Sequence, residues 1–280
     1  MSGVRSMRQF LFAICLTAIA ACGPAQAQQA KDSFHPQVGQ EGKDVIWVPT
    51  PQALVEKMLD MAKVTPKDYV IDLGSGDGRT VIAAAKRGAR ALGIEYNPDM
   101  VELSKRNAAK AGVSDKAHFV KADLFESDFS KATVITMFLL PDINLKLRPR
   151  ILDLRPGTRI VSNSFDMGEW TPDETGKVMQ DCTSYCTAYL WIVPAKVSGT
   201  WKLGAGEVAL KQTFQMVSGT LKNGNVTTPI TNGRLAGDRI GFTAGGTRYS
   251  GRVTRNSMEG IARSGAHESQ WRATKVGSGS

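Results

Sequence analysis

The chain has 280 residues, 42% hydrophobic and 22% charged, a composition that excludes a disordered or collagen-like protein and, at roughly 150 residues per domain, suggests one large domain and a smaller one. Its net charge of +9 is uneven: residues 1–27 carry two arginines and no acid, residues 28–195 carry 21 basic and 22 acidic side chains, and residues 196–280 carry 12 basic and 4 acidic. A basic excess concentrated in the C-terminal segment speaks against reading the whole chain as a nucleic-acid binder.

Arg5 and Arg8, an apolar run from Phe10 to Ala21 and the small-residue sequence Ala25-Gln26-Ala27 follow the plan of a secretory signal peptide over residues 1–27. The apolar run is shorter than the roughly 20 residues of a spanning helix, so no transmembrane span is expected in the mature chain. Cleavage after Ala27 predicts an exported, periplasmic protein. Ile19-Ala20-Ala21-Cys22 resembles a lipobox and keeps open a lipoprotein anchored through Cys22, and an uncleaved cytosolic chain is a third reading. Export leaves Cys182 and Cys186 as the cysteines of the mature protein. In one extended strand they would stand about 13 Å apart, too far to bond; across the turn Thr183-Ser184-Tyr185 they can meet, and a disulfide and two free thiols both remain open. No metal site is expected, because there is no second cysteine pair and His35, His118 and His267 are scattered.

From Asp44 short apolar runs alternate with helix-period segments, the pattern of βαβ units around a mostly parallel sheet. Thr50-Pro51 reads as an N-cap followed by proline at the first helical position, with Leu54, Met58 and Ala62 on one face. Tyr69–Leu73 reads as a buried strand ending in Gly74-Ser75-Gly76-Asp77-Gly78, and Val81, Ile82, Ala84 and Ala85 mark the helix after it. Strand, glycine loop and helix make a nucleotide-type site, since glycines admit a ligand to the backbone and the helix start offers unpaired N–H groups.

The glycine spacing decides which nucleotide. A dinucleotide fingerprint counted from Gly74 requires a third glycine at position 79, where Arg79 stands; the third glycine comes one residue early, at Gly78. Asp72 and Asp77 bracket the loop, an arrangement suited to a cationic ligand and not to a pyrophosphate. Ala91–Glu95 reads as the next strand, with Glu95 placed to accept from both ribose hydroxyls. Asn97-Pro98 caps another helix, and His118–Leu124 reads as a third strand carrying Asp123, a candidate acceptor for an adenine amino group, with Leu124 beside it.

On these residues the segment 45–170 resembles the class I S-adenosylmethionine-dependent methyltransferases. Val70–Gly78 matches the family's first motif, Glu95 its ribose acid and Asp123 its adenine-side acid. Val48-Pro49-Thr50-Pro51, the Asp72–Arg79 loop and Phe138-Leu139-Leu140-Pro141 are similar to the small methyltransferases related to the mitochondrial lysine methyltransferase of the ATP synthase c-ring protein. The resemblance implies a Rossmann-like α/β sheet over residues 28–195. It also implies S-adenosyl-L-methionine as cofactor, held by Asp72, Gly74, Ser75, Gly76, Asp77, Gly78, Glu95, Asp123 and Leu124, and an amine-type acceptor such as a protein lysine.

The fourth strand, Thr133–Phe138, runs into Leu139-Leu140-Pro141, where such enzymes present the acceptor; no Asn-Pro-Pro-Tyr stands there, which disfavours base or glutamine methylation. Trp47, Pro49, Phe138, Leu139 and Pro141 are the candidate acceptor-side residues, with Phe165 and Trp170 as further walls for a lysine stem. Asp142, Asp166 and Glu169 are the nearest candidate bases, and none is assigned a catalytic role.

After Pro194 the texture changes. Trp201, Val208 to Met216 in alternation, Ile240 and Phe242, Tyr249 and Val253, and Trp271 read as about six antiparallel strands, a small barrel-like β domain over residues 196–280. Asn223-Gly224 and Asn232-Gly233 read as hairpin turns. Arg234, Arg239, Arg248, Arg252, Arg255, Arg263 and Arg272 suggest either a solvated face or a surface for an acidic partner or anionic membrane; single-stranded nucleic acid is disfavoured for want of aromatic platforms. The domain is expected to help choose or position the acceptor. A rival reading from another class is an envelope binding protein without turnover, in which the β domain does the recognition.

Overall fold

The computed structural model describes residues 34–277. Residues 1–33, which hold the expected signal segment with Cys15 and Cys22, and residues 278–280 lie outside the described residues. Residues from Pro36 onward form one compact unit.

Seven strands make an open sheet in the order β3-β2-β1-β4-β5-β7-β6. β1 (Tyr69–Leu73), β2 (Arg90–Glu95), β3 (Ala117–Lys121), β4 (Val134–Met137) and β5 (Arg159–Asn163) are parallel. β7 (Thr187–Ile192) runs antiparallel between β5 and β6 (Glu174–Lys177). The central strands are apolar on consecutive positions because helices cover both faces. Val70, Val134 and Val161 share one core with Leu54 and Leu59 of α1 (Gln52–Met61), Val81 and Ala84 of α2 (Arg79–Lys86) and Val101 of α3 (Pro98–Lys110). Ile71, Leu73, Ile135 and Ile160 share the other with Ile143, Leu147 and Ile151 of α4 (Pro141–Leu152). Asp72 falls between two such positions and is therefore drawn into the interior.

Local signals are read correctly at some element ends and not at others. Asn97 caps α3 as expected, accepting from the N–H groups of Asp99 (2.9 Å) and Met100 (3.4 Å), with Pro98 at the first helical position. At α1 the proline sits one residue earlier than expected: Pro51 occupies the N-cap position with no side-chain cap, and the Thr50 hydroxyl instead accepts from Asn163 Nδ2 at the end of β5 (3.2 Å). β3 stops at Lys121, short of Leu124, because Asp123 opens a turn whose side chain accepts from the Phe125 N–H (2.8 Å).

The segment after β7 is a closed antiparallel barrel of eight strands, two more than expected: β8 (Gly199–Leu203), β9 (Gly206–Thr213), β10 (Met216–Asn223), β11 (Val226–Ala236), β12 (Arg239–Ala244), β13 (Thr247–Thr254), β14 (Ser257–Ser264) and β15 (His267–Lys275). Eight strands leave an interior that side chains just fill; Trp201, Leu210, Leu235, Phe242, Met258 and Trp271 fill it here. The run from Val208 to Met216 breaks at Phe214, whose φ of 53° places it in a turn between β9 and β10. Asn223-Gly224 is one residue out of register with its hairpin, in which Asn223 pairs with Val226 and Gly224-Asn225 makes the turn. Asn232-Gly233 is no turn at all: it forms a bulge inside β11, where a Cβ on Gly233 would lie 2.1 Å from the Val217 carbonyl oxygen.

The barrel is joined to the sheet at the amino end of β5, away from the glycine loop. Ile192 pairs with Arg159 there, the Ala195 N–H donates to Gly237 O (2.8 Å), and Gln215 Nε2 donates to Thr171 O (2.7 Å). Arg234 pairs with Asp173 at 2.6 Å, and Phe214 stacks on Trp170 at 5.9 Å between centroids.

Candidate functional site

Gly74, Gly76 and Gly78 all take positive φ, at 75°, 54° and 82°, so the loop after β1 needs glycine at each position. Two of the three also face close neighbours. A Cβ on Gly76 would come within 2.7 Å of Trp47 Nε1, and one on Gly78 within 2.7 Å of the Phe119 ring and 2.9 Å of Ser104 Cβ. Helix α3 holds the loop from behind, with Ser104 Oγ donating to Gly76 O (2.8 Å) and Asn107 Nδ2 to Asp77 O (3.0 Å). Sequence reasoning passed over Ser104 and Asn107; the signal was a serine at a buried position of the apolar face of α3.

Glu95 ties the ends of the first two strands together: one carboxylate oxygen accepts from the Gly76 N–H and the other from the Asn97 N–H, each at 2.9 Å. Asp72 bonds Thr136 Oγ1 on β4 at 2.6 Å and is 6% exposed. Burial pushes its carboxyl up to about 7, the Thr136 hydrogen bond pulling the other way and the nearby charges of Glu95 and Asp77 adding to the rise. Asp77 makes an ion pair with Arg79 at 2.6 Å, and Arg79 also donates to Thr50 O (2.8 Å), which links the loop to the chain leading into α1.

The loop and the strand ends around it line one cavity of about 700 Å³ at the carboxyl ends of β1, β2 and β4, a size usual for a small-molecule site. Asp72, Gly74, Ser75, Gly76, Asp77 and Glu95 lie in its wall, as do Trp47, Pro49, Phe138 and Leu139. Gly78, Asp123, Leu124 and Pro141 do not line it. Gly78 is turned to Phe119 and Ser104. Asp123 is engaged by Lys43, which holds its carboxyl below the usual range, Leu124 packs against the α4-side core, and Pro141 is an exposed first residue of α4. Trp170 is no wall either: it is fully buried between Trp191 and Phe214. No candidate base reaches the cavity lining: Asp142 is exposed, Asp166 accepts from the Gly168 N–H, and exposed Glu169 faces Arg148. No barrel residue lines it.

Two further parts of the wall extend beyond the expected Trp47, Pro49, Phe138 and Leu139. Residues 40–50 form an arm across the cavity, folded on itself by the Glu41–Ile46 bridge and fastened by Lys43, which pairs with Asp123 and lies over the Tyr96 ring at 5.0 Å. Opposite the glycine loop, Tyr185 joins Phe138 and Phe165, with centroids 5.1 to 6.1 Å apart. Tyr185 belongs to the hairpin closed by a Cys182–Cys186 disulfide, Cα–Cα 5.8 Å, which settles the open cysteine question in favour of the bond.

The donor set fits an adenosine derivative bearing a positive charge. A Cβ on Gly74 or Gly76 would meet Leu139 or Trp47 of the cavity wall, Ser75 Oγ is buried without a partner among the described residues, and Asp72, Asp77 and Glu95 supply negative charge.

A family description of an ANTKMT methyltransferase domain matches residues 72–174, and one of a DNA methylase matches residues 30–106. A protein-lysine N-methyltransferase of Saccharolobus islandicus is 44% identical over 152 residues, covering 53% of this chain and 94% of that protein. The adenine nucleotide translocase lysine N-methyltransferase of Mus musculus is 35% identical over 120 residues, 42% of this chain and 52% of that protein, so the chain spans about half the length of this relative. Among solved structures, an RNA methyltransferase from Salinibacter ruber in complex with S-adenosyl-L-homocysteine is 48% identical, covers 54% of this chain and 96% of its own, and superposes with a TM-score of 0.50. With the sheet order, the glycine cradle and these likenesses together, the chain belongs to the S-adenosylmethionine-dependent methyltransferases of the ANTKMT-domain family.

Proposed function

We propose that the acceptor is an amine, the side chain of a protein lysine, and that the enzyme works outside the cytoplasm. The observation that carries the first part is the aromatic wall of Phe138, Phe165 and Tyr185 in the same cavity as the glycine cradle. The names of the Saccharolobus and mouse relatives support the same acceptor class. Membership of a methyltransferase family also removes the ground for the rival reading of a binding protein without turnover.

The cofactor, when bound, supplies a methyl group already activated on a sulfonium. The chain contributes alignment and dehydration. In this reading Glu95 accepts from the ribose hydroxyls, and the amino-acid tail lies along the Gly74–Gly76 backbone, whose N–H groups are held by Ile94 O and Glu95. A lysine stem lying along Phe138, Phe165 and Trp47 leaves water, and desolvation lowers the pKa of an ammonium group. The proton can then be lost to solvent before attack, so no side chain need act as a dedicated base. That agrees with the absence of Asp142, Asp166 and Glu169 from the wall.

The second part rests on the signal-type N-terminus and on the Cys182–Cys186 bond, of a kind that persists in oxidising compartments. Release after Ala27 into the periplasm is the preferred form, with attachment through Cys22 as the alternative; either demands that cofactor reach the envelope. The test is to incubate the purified protein with methyl-labelled cofactor and a native envelope extract, then to hydrolyse the products. Label in methylated lysine supports the reading. Label in RNA, the activity named for the Salinibacter protein, or in lipid alone, overturns it.

A further inference from the structure

The barrel carries charge on one side in a pattern that solubility does not explain. Outward positions of β12–β15 fall in three rows across the sheet. The first is Arg239, Arg252, Glu259 and Arg272; the second Gly241, Ser250, Ile261 and Gln270; the third Thr243, Arg248, Arg263 and Glu268. Arg239 stands directly opposite Arg252, and Arg248 directly opposite Arg263. Like charges in facing positions of an antiparallel pair destabilise it, and a surface shaped for solubility alone intersperses the signs. The neighbouring strands intersperse them, Lys202 facing Glu207, which faces Lys222, whereas β12–β15 do so only in part: Glu259 lies between Arg252 and Arg272 and Glu268 faces Arg263, but each Arg–Arg pair has no acid between its members.

The residue type is also partitioned. Strands β8–β10 carry lysines, Lys202, Lys211 and Lys222, whereas every basic residue from Arg239 to Arg272 other than His267 is arginine. Arginine presents a planar fork that matches phosphate oxygens, which lysine does not. Arg252 and Arg263 have carboxylate partners, Asp238 at 3.4 Å and Glu268 at 2.5 Å, but Arg239, Arg248 and Arg272 have none among the described residues.

We propose that this arginine face of β12–β15 docks the enzyme on an anionic phospholipid surface. The outer wall of a closed barrel is convex and can meet a plane of headgroup phosphates. The aromatic residues of the same strands pack together on the interior side, Phe242 stacked on Tyr249 and Trp271 edge-on to both, leaving no platform for unpaired bases. The middle row is small or neutral, so guanidinium groups flank it on both sides without an acidic barrier between them. Docking through these strands uses no residue of the cavity, because no barrel residue lines it.

The test uses the full chain and sedimentation with vesicles of phosphatidylcholine alone or mixed with phosphatidylglycerol, at low and high salt. The expected result is binding to the mixed vesicles only, lost at high salt. The combined variant Arg239→Gln, Arg248→Gln and Arg272→Gln breaks no ion pair and should bind about a hundredfold more weakly, at about fivefold per arginine. The matched variant Lys202→Gln, Lys211→Gln and Lys222→Gln removes the same charge and should bind like the parent. Equal loss in both variants, undiminished binding in the arginine variant, or tighter binding to polyuridylate or polyglutamate than to the anionic vesicles would overturn the proposal.

Discussion

Replacing Asp72 with asparagine is expected to make the protein more stable and a poorer binder of its cofactor. The side chain is buried and bonded to Thr136, and its carboxyl is raised from 3.8 to about 7. A carboxyl that holds its proton more tightly when folded adds most stability at low pH. That stability falls between about pH 4 and pH 7, by ~1.4 kcal/mol per pH unit, and is flat above the folded value. The full loss amounts to about 4 kcal/mol at alkaline pH. Asparagine has no proton to lose and can donate to Thr136 Oγ1, so the advantage of Asp72→Asn over the parent should grow from near zero at about pH 4 to about 4 kcal/mol at about pH 8. Urea unfolding of both proteins across this range measures the difference. Calorimetric titration with S-adenosylmethionine should show the opposite preference. Parent affinity should rise with pH up to about 7, as the carboxylate forms beside a cation, whereas variant affinity should be weaker and flat. Parallel stability profiles, or equal affinities at about pH 8, would refute the reasoning.

Three further outcomes follow from single contacts. Gly93→Ala would place a methyl 2.4 Å from Ser75 Oγ and 2.7 Å from Phe119; a loss of about 1–3 kcal/mol in denaturant unfolding is expected, together with weaker cofactor binding because Ser75 must shift. Lys43→Ala frees the arm from Asp123 and Tyr96; stopped-flow measurement should find cofactor release faster by no more than about fivefold, and no further change when Asp123→Ala is added. Intact mass and alkylation of the mature protein should find Cys182 and Cys186 unreactive until a reductant is added.

What the sequence made legible was local. The run Tyr69–Gly78 announces its strand and loop because consecutive apolar residues, then closely spaced glycines, admit few other conformations. The Asn97-Pro98 cap is equally local. What escaped depends on distant partners. Asp123 looks like a free adenine-side acid until Lys43, 80 residues earlier, reaches it. Gly78 looks like ligand cradle but is required by the packing of Phe119 and Ser104. Trp47 and Pro49 were expected in the wall, but residues 40–46 have neither helical nor strand periodicity, so nothing in their pattern marks the rest of the arm. Trp170 reads as a site aromatic, yet the barrel's Phe214 covers it. In the barrel, β10, β11 and β14 lack a clean apolar alternation, since Ser, Thr, Asn and Gly occupy many of their positions, and an Asn-Gly pair that reads as a turn serves as a bulge inside β11.

A crystal structure of the protein with S-adenosylhomocysteine bound tests the central claim most directly. The account predicts the ribose hydroxyls on Glu95, the amino-acid tail along the Gly74–Gly76 backbone beside Asp72, and the sulfur facing the wall of Phe138, Phe165 and Tyr185. A nucleoside bound elsewhere, or a sulfur turned away from those three rings, would contradict it.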